Sequence, residues 1–153
     1  MIKTGYYWGQ NGPQAGGLIY NPDYWANSIE FYAEKWSQDQ QDRLKLLQSQ
    51  GARIAYWRSD KDGRPCNGGD KNLIAVSRTL QTVDGKLALC TKTCLHATLK
   101  PPRWKGSVIW IVALIGEVIG DEDKFGAQAR EILGQCTEIP DDWIKADPTD
   151  PTT

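Results

Sequence analysis

The stretch VIWIVALIGEVI, residues 108–119, is the most apolar part of the chain. Its side chains are nearly all apolar and many are β-branched, which is typical of a strand that is covered on both faces. The unbroken apolar run from Val108 to Ile115 has eight residues, whereas a membrane-spanning helix needs about 20. We therefore expect residues 108–119 to form the central strand of a sheet, and we expect no association with a membrane.

Several shorter segments predict the neighbouring strands. Residues 52–58 (ARIAYWR) combine apolar and aromatic side chains, and residues 73–76 and 80–83 are short apolar runs. Asp84-Gly85 follows the last of these, and this dipeptide favours a tight hairpin turn. We therefore expect residues 87–90 to return as the partner of residues 80–83.

Two segments have helical patterns. Residues 23–50 contain no glycine or proline and end at Gly51, which predicts one long helix, or two helices that are separated near Ser37. Residues 121–134 begin with acidic side chains and carry Arg130 toward their end, an order that suits the helix dipole. We expect residues 121–134 to form a closing helix after the central strand.

These elements predict an α+β fold, in which an N-terminal helical segment packs on a small mixed or antiparallel sheet with a closing helix. We expect one domain over residues 1–145, with a variable loop and helix in residues 1–51 and a β-rich core in residues 52–139. Residues 146–153 are polar and rich in proline, which predicts a flexible tail.

The composition excludes several classes of protein. The 153 residues have a formal net charge of -1 and 24% charged residues, which is ordinary for a globular domain and argues against disorder. No cluster of lysine and arginine stands out, so we do not expect binding to duplex nucleic acid. The N-terminus lacks the apolar core of a signal peptide, which predicts a cytoplasmic location.

The densest group of reactive side chains is Cys90, Cys94 and His96. Thiolate and imidazole groups bind zinc, and a structural zinc site needs four ligands, so Cys66 or Cys136 would have to complete the set. The spacing is not that of the common zinc motifs, and we therefore expect no cofactor. Two alternatives stay open: inert thiols beside a hydrogen-bonded His96, or a nucleophile–base pair of Cys94 and His96.

A small enzyme is one functional hypothesis. His96, Glu117 and Arg130 could line a pocket that acts on a nucleotide or a protein side chain. Glu117 interrupts the apolar stretch, so a buried Glu117 would need a cationic partner, and Arg130 and Lys105 are the candidates. No catalytic motif accompanies these residues, and they are therefore candidates without an assigned role.

The aromatic residues suggest a second kind of function. The chain has seven tryptophans and six tyrosines but two phenylalanines, and Trp and Tyr are favoured at protein interfaces. Trp25, Ile29, Tyr32 and Trp36 recur on one face of the predicted helix, which indicates core packing or, if the stripe is exposed, a docking face. The candidate partner-binding residues are Tyr6, Tyr7, Trp8, Tyr24, Trp25 and Trp36.

The order of short motifs from Ala52 to about Leu133 resembles a small uncharacterised domain of tailed bacteriophages and prophages. The motifs that carry the resemblance are Ala55-Tyr56-Trp57 before Asp62-Gly63, Leu89-Cys90 before Leu95-His96-Ala97, Trp104 before Val108–Leu114, Gly116-Glu117, Asp123-Lys124, and Ala129-Arg130-Glu131-Ile132. Cys94 stands where that domain usually has glycine, so a zinc site that uses Cys94 would be peculiar to this chain.

The resemblance implies a phage accessory protein, but it implies no particular activity. Together with the small size and the aromatic residues, it leads to our first hypothesis: a non-enzymatic protein that binds and inhibits a host protein, such as a component of CRISPR–Cas or of another defence system. The first 50 residues lie outside the resemblance and are expected to provide the specific contacts. The aromatic helix is also compatible with a homodimer, and a zinc-stabilised module is the third alternative.

Overall fold

The computed structural model describes residues 24–137 and the backbone of two short strands near the N-terminus. The strands are β1 (Tyr6–Trp8), β2 (Leu18–Tyr20), β3 (Arg53–Ser59), β4 (Thr79–Thr82), β5 (Leu95–Ala97), β6 (Val108–Ile115), β7 (Ile119–Gly120), β8 (Phe125–Ala127) and β9 (Ala129–Cys136). The helices are α1 (Tyr24–Asn27), α2 (Ile29–Ala33) and α3 (Gln38–Ser49), and Pro101–Arg103 form one turn of 3₁₀ helix. These elements confirm the predicted α+β class.

The larger sheet of residues 24–137 is antiparallel, with the strand order β3-β6-β9-β4. β6 is one of the two interior strands of this sheet, and its side chains point alternately to opposite faces. Those in the core below the helices are Ile109, Ile111 and Ala113. Those in the core between the two sheets are Trp110, Val112 and Leu114. The prediction of a central strand that is covered on both faces is therefore confirmed for residues 108–115.

The smaller sheet has the order β5-β8-β7 and packs on the face of the larger sheet that the helices leave open. A backbone bridge joins β3 to the residue after β5: the N–H groups of Tyr56 and Thr98 each donate to the carbonyl of the other residue, at 2.8 and 2.7 Å. β3 then continues along β6, and β5 continues along β8. This divergence leaves a cleft between β3 and β5.

The helices cover the other face of the larger sheet. α3 begins after Ser37, whose hydroxyl accepts a hydrogen bond from the backbone N–H of Gln40, while the Gln40 side chain accepts from the Ser37 N–H. This reciprocal cap sets the helix start. Of the two predicted alternatives, the separation near Ser37 is confirmed and the single long helix is wrong. Gly51 follows α3 with φ +82°, as expected for a left-handed cap. The helical segment is also interrupted at Ser28, between α1 and α2, and the sequence pattern did not predict this break.

The predicted closing helix over residues 121–134 is wrong. These residues form a turn, β8 and most of β9 instead. β9 is inserted between β6 and β4, and its pairing with both strands outweighs the local helical pattern. Gly126 and Gly134 lie within the segment, and glycine weakens a helix interior. At Gly134 a side chain would collide with the Trp36 ring, so the residue serves the packing of the helices on β9.

The predicted hairpin at Asp84-Gly85 is also wrong. β4 pairs with β9, and residues 87–90 form a turn outside both sheets. β9 pairs with one edge of β4, and no strand among the described residues pairs with the other edge. Residues 73–76, the other predicted strand, have no regular structure.

In the part of the chain that the structure describes, no helix has the length and hydropathy needed to cross a bilayer. The predicted tail, residues 146–153, and the end of the predicted β-rich core lie outside the described residues.

Candidate functional site

The cleft between the two sheets contains a cavity of about 240 Å³. Its walls come from β3, from β5 with the turn that precedes it, and from three loops. The lining residues are Tyr56, Trp57, Arg58, Asn67, Gly68, Gly69, Cys90, Thr91, Lys92, Cys94, His96, Ala97, Thr98, Trp104 and Lys124. Because Asn67, Gly68, Cys90 and Lys92 are exposed, the cavity opens to solvent on that side.

The lining carries positive charge and no negative charge. Its basic residues are Arg58, Lys92 and Lys124, and none of the described residues that line the cavity is an aspartate or a glutamate. The chain as a whole has slightly more acidic than basic residues. The cleft is therefore a local concentration of positive charge that the overall net charge of the protein does not reveal.

Arg58 shapes one wall of the cleft. Its guanidinium donates hydrogen bonds to the carbonyls of Pro101, Trp104 and Gly106, including one of 3.0 Å from Nη1 to Pro101. Burial lowers the pKa of Arg58 to about 10, so the group stays charged at neutral pH. Arg58 thus fixes the loop that places Trp104 at the cavity.

Trp104 and Lys124 form the wall next to this loop. The Lys124 ammonium lies over the Trp104 ring, 4.8 Å from its centroid, and the indole N–H donates to the Asp123 carbonyl at 3.2 Å. The Asp123 carboxylate is bound to Lys100 at 3.2 Å rather than to Lys124. The wall therefore combines an aromatic ring with an ammonium group that has no carboxylate bound to it among the described residues.

Cys90 and His96 form the turn at the mouth of the cleft. Cys90 has a left-handed backbone with φ +61°, which is unusual for a residue other than glycine. Its backbone N–H donates to His96 Nε2 at 3.0 Å, and its Sγ accepts a hydrogen bond of 2.9 Å from Lys124 Nζ. The lone pair of the imidazole thus holds the turn, which fits the expectation of a hydrogen-bonded His96.

We predict that His96 stays neutral throughout the physiological range. Burial, together with the nearby charges of Lys124 and Arg130, lowers the pKa of His96 to about 4 from an ordinary value of 6.5. Between these values the unfolded chain binds the proton more tightly, so the free energy of unfolding should fall as the pH falls from 6.5 to 4. His96 is the only histidine, so its ring resonances in NMR spectra can be followed without assignment.

When the His96 ring resonances are followed against pH, the folded protein should show no titration midpoint above about pH 5. In the urea-unfolded chain, the midpoint for His96 should lie near the ordinary pKa of histidine. A midpoint near pH 6.5 in the folded protein would contradict the described hydrogen bond from Cys90.

The three candidate catalytic residues do not come together as a set. His96 and Arg130 are neighbours, since Arg130 Nη1 donates to the His96 carbonyl at 2.8 Å. Glu117 is exposed in the turn that follows β6 and does not line the cavity. It therefore needs no buried partner. Arg130 bonds to Gln81, and the pairing of Glu117 with Arg130 or Lys105 is not seen.

The cysteines do not form a ligand set in the described structure. Cys90 is exposed, Cys66 is half-buried, and Cys94 and Cys136 are buried, all as free thiols. Burial raises the pKa of Cys66 and Cys94 and raises that of Cys136 well above its ordinary value. Between residues 24 and 137, no three His, Cys, Asp or Glu side chains come close enough together to hold a metal ion.

The candidate partner-binding residues fall into two groups. Trp25 is completely buried, and Trp36 is half-buried with its indole N–H donating to the Gln135 carbonyl at 2.9 Å. These two side chains pack in the core, as the first interpretation of the stripe expects. The side chains of the other four, Tyr6, Tyr7, Trp8 and Tyr24, lie outside the described residues.

Sequence reasoning did not find Arg58, Trp104 or Lys124 as site residues. The sequence does not show that Trp104 and Lys124 face one cavity. Comparison of the chain with protein-family models, with curated proteins and with solved structures finds no match.

Proposed function

We propose that the protein binds a small anionic ligand with a flat ring, of the nucleotide class, in the cleft between its two sheets. The observation that carries the proposal is the lining of the cavity, which combines tryptophan with lysine and has no carboxylate among the described residues. Ligand sites are typically concave, largely apolar and supplied with a few convergent polar groups. This cleft has each of these properties.

The size and the aromatic residues favour a ring. A cavity of about 240 Å³ is slightly below the usual range for drug-sized ligands, about 300–1,000 Å³. Because the cavity is open, a ring system can enter it while a sugar or a second group stays at the mouth. Trp104 is half-buried and lines the cavity, and aromatic side chains stack on nucleobases.

The positive charge favours an anion on the ligand. Lys92 and Lys124 line the cavity, and Lys92 is exposed at its mouth. Hydrogen bonds from an ammonium group to a phosphate are among the stronger ones in proteins. His96 already uses its Nε2 as an acceptor within the turn. The proposal is therefore one of binding, with no assigned reaction.

We predict that nucleoside monophosphates bind more tightly than the corresponding nucleosides, by about tenfold, since one charged hydrogen bond contributes about 1.5–3 kcal/mol. Replacing Trp104 by leucine should weaken the nucleotide by about tenfold, because stacking on one ring contributes about 1–3 kcal/mol. Isothermal titration calorimetry with AMP, GMP, CMP, UMP and their nucleosides measures both differences.

The matched control is Phe31→Leu, since Phe31 is an exposed aromatic residue on α2, on the face of the larger sheet opposite the cleft. This variant should bind nucleotides as the wild type does. The proposal is wrong if no nucleotide binds at millimolar concentration, or if Trp104→Leu binds as tightly as the wild type.

The hypothesis of a phage counter-defence protein stays a prediction. It depends on aromatic side chains near the N-terminus, and those of Tyr6, Tyr7 and Trp8 lie outside the described residues. A bound host protein and a homodimer also stay predictions. A structural zinc ion is a separate prediction, and its described candidate ligands Cys66, Cys90, Cys94 and His96 do not come together.

A further inference from the structure

Arg130 is a buried cation without a counter-charge. It is 3% exposed on β9, and its guanidinium carbon lies 4.2 Å from the centroid of the Trp57 ring. Nε and Nη2 donate to Gln81 Oε1 at 3.1 and 2.7 Å, and Nη1 donates to the His96 carbonyl at 2.8 Å. No carboxylate binds to it within residues 24–137. Burial lowers the pKa of Arg130 to about 9, so the group is still charged at neutral pH.

Such a charge is costly for the empty protein. A buried ionic group is ordinarily paired, because the hydrogen bonds of neutral partners replace only part of its hydration. The carboxylate of the neighbouring Glu131 cannot serve, since it lies on the opposite face of β9 and binds Arg43 and Arg78. The arrangement is unusual unless a negative group reaches Arg130 from outside the chain.

A second cavity, of about 50 Å³, gives access to Arg130. It adjoins the first cavity, and both are lined by Trp57, Lys92 and His96. A single water needs about 10–15 Å³ of such space, so the cavity has room for several waters or for a small oxyanion. The carboxylate among its lining residues is that of Asp70, which is exposed and accepts from the Asn72 N–H.

Gln81 is the side-chain partner of Arg130 and is neutral. Its Oε1 accepts both bonds from Arg130, and its Nε2 is buried. Within the described residues Nε2 has no hydrogen-bond partner. A buried donor that is left unpaired costs about 1–3 kcal/mol. Gln81 lines neither cavity, so the case for a missing anion rests on the uncompensated charge of Arg130 and on the cavity that reaches it.

We propose that the second cavity is an anion subsite, in which Arg130 at its base and Lys92 at its rim bind a phosphate group. The inference rests on the proposed function, because the phosphate would belong to the ligand whose ring lies in the first cavity. It also goes beyond that function, since it places the anion beside Arg130 rather than beside Lys124. Arginine suits this task because its planar donors match the oxygens of a phosphate.

The first test uses inorganic phosphate alone, measured by ³¹P NMR and calorimetry against chloride at equal ionic strength. Arg130→Lys keeps the charge but loses the forked donors, and it should weaken phosphate binding by about tenfold. Lys92→Gln changes an exposed side chain and should weaken it about threefold without affecting folding. Lys45→Gln, an exposed lysine on α3, is the matched control and should leave the affinity unchanged.

The outcomes separate this inference from the proposed function. Phosphate that binds to the wild type but poorly to Arg130→Lys and Lys92→Gln supports the subsite, even if no nucleotide binds. The subsite is overturned if phosphate does not bind to the wild type, or if it binds to both variants as tightly as to the wild type. A third outcome also overturns the subsite. In it, nucleotides bind, Arg130→Lys keeps the full preference for nucleotides over nucleosides, and Lys124→Gln loses that preference. In that last case the proposed function stands.

Discussion

Replacing Trp25 by alanine should lower the free energy of unfolding by about 3–5 kcal/mol, the usual cost of removing a fully buried aromatic side chain. Trp25 is completely buried below the larger sheet. Its ring stacks on Tyr32 with centroids 6.1 Å apart and meets the Tyr56 ring edge-on at 5.3 Å. The Tyr56 hydroxyl also donates to the Trp25 carbonyl at 2.8 Å. The indole therefore joins α1, α2 and β3 in one cluster.

Urea unfolding followed by circular dichroism measures the change. Trp25→Phe keeps part of the ring and should lose less stability than Trp25→Ala. Phe31→Ala removes a neighbouring aromatic side chain that is 37% exposed and should cost less than about 1 kcal/mol. A Trp25→Ala protein as stable as Phe31→Ala would show that the indole is not part of the core. That result would return Trp25 to the candidate docking residues.

The elements that were predicted correctly are those whose patterns depend on burial. β6 was found because its apolar run reflects two covered faces, and β3 because residues 52–58 combine apolar and aromatic side chains. A break near Ser37 was one of two alternatives for residues 23–50, and the cap between Ser37 and Gln40 decides between them. In each case the information lies within the element itself.

The errors concern elements that are determined by distant partners. β9 has acidic residues before it and Arg130 within it, and this local order is compatible with a helix dipole. The segment becomes a strand because β6 and β4 offer their edges to it. In the same way, β4 pairs with the distant β9 and not with the segment that follows Asp84-Gly85. No pattern within residues 80–90 indicates that β4 pairs with β9, a strand about 50 residues later in the sequence.

The site was predictable in part. His96 and Arg130 were chosen as candidates and do adjoin the two cavities, whereas Glu117 is exposed because the apolar stretch ends in a turn at Gly116. Trp104 and Lys124 are 20 residues apart in the sequence, and their contact depends on the loop that Arg58 holds. Such a contact has no periodicity, so the charge of the cleft could not be read from the sequence.

The second large effect is expected at Glu131. Replacing it by alanine should cost about 3 kcal/mol, because removal of one partner from a buried ion pair costs about 3–5 kcal/mol. Glu131 is 3% exposed, and among the described aspartates and glutamates it is the buried one. Its carboxylate accepts from Arg43 Nη2 at 2.8 Å and from Arg78 Nη1 at 2.7 Å. We expect the lower end of the range because the two arginine side chains are 32% and 33% exposed.

The geometry explains why the loss should exceed that of a surface ion pair. Glu131 ties α3, through Arg43, and the segment before β4, through Arg78, to the middle of the larger sheet. The Glu131 carboxylate also raises the pKa of Arg43. Arg78 has a left-handed backbone with φ +64°, a strained conformation that its bonds to Glu131 and Asp39 help to hold. Without the carboxylate, two arginines and this strained turn lose their common partner.

Asp39→Ala provides the comparison for Glu131→Ala under the same urea unfolding conditions. Asp39 also binds Arg78, at 2.7 Å, but its side chain is 71% exposed. An exposed pair contributes about 0.2–1 kcal/mol, so Asp39→Ala should change the stability little. Glu131→Gln keeps the shape and removes the charge, and a loss close to that of Glu131→Ala would assign the effect to the charge. If Glu131→Ala lowered the free energy of unfolding no more than Asp39→Ala does, burial would not strengthen the ion pairs of Glu131 with Arg43 and Arg78. The same argument would then no longer require a counter-charge for Arg130, the adjacent residue on the opposite face of β9.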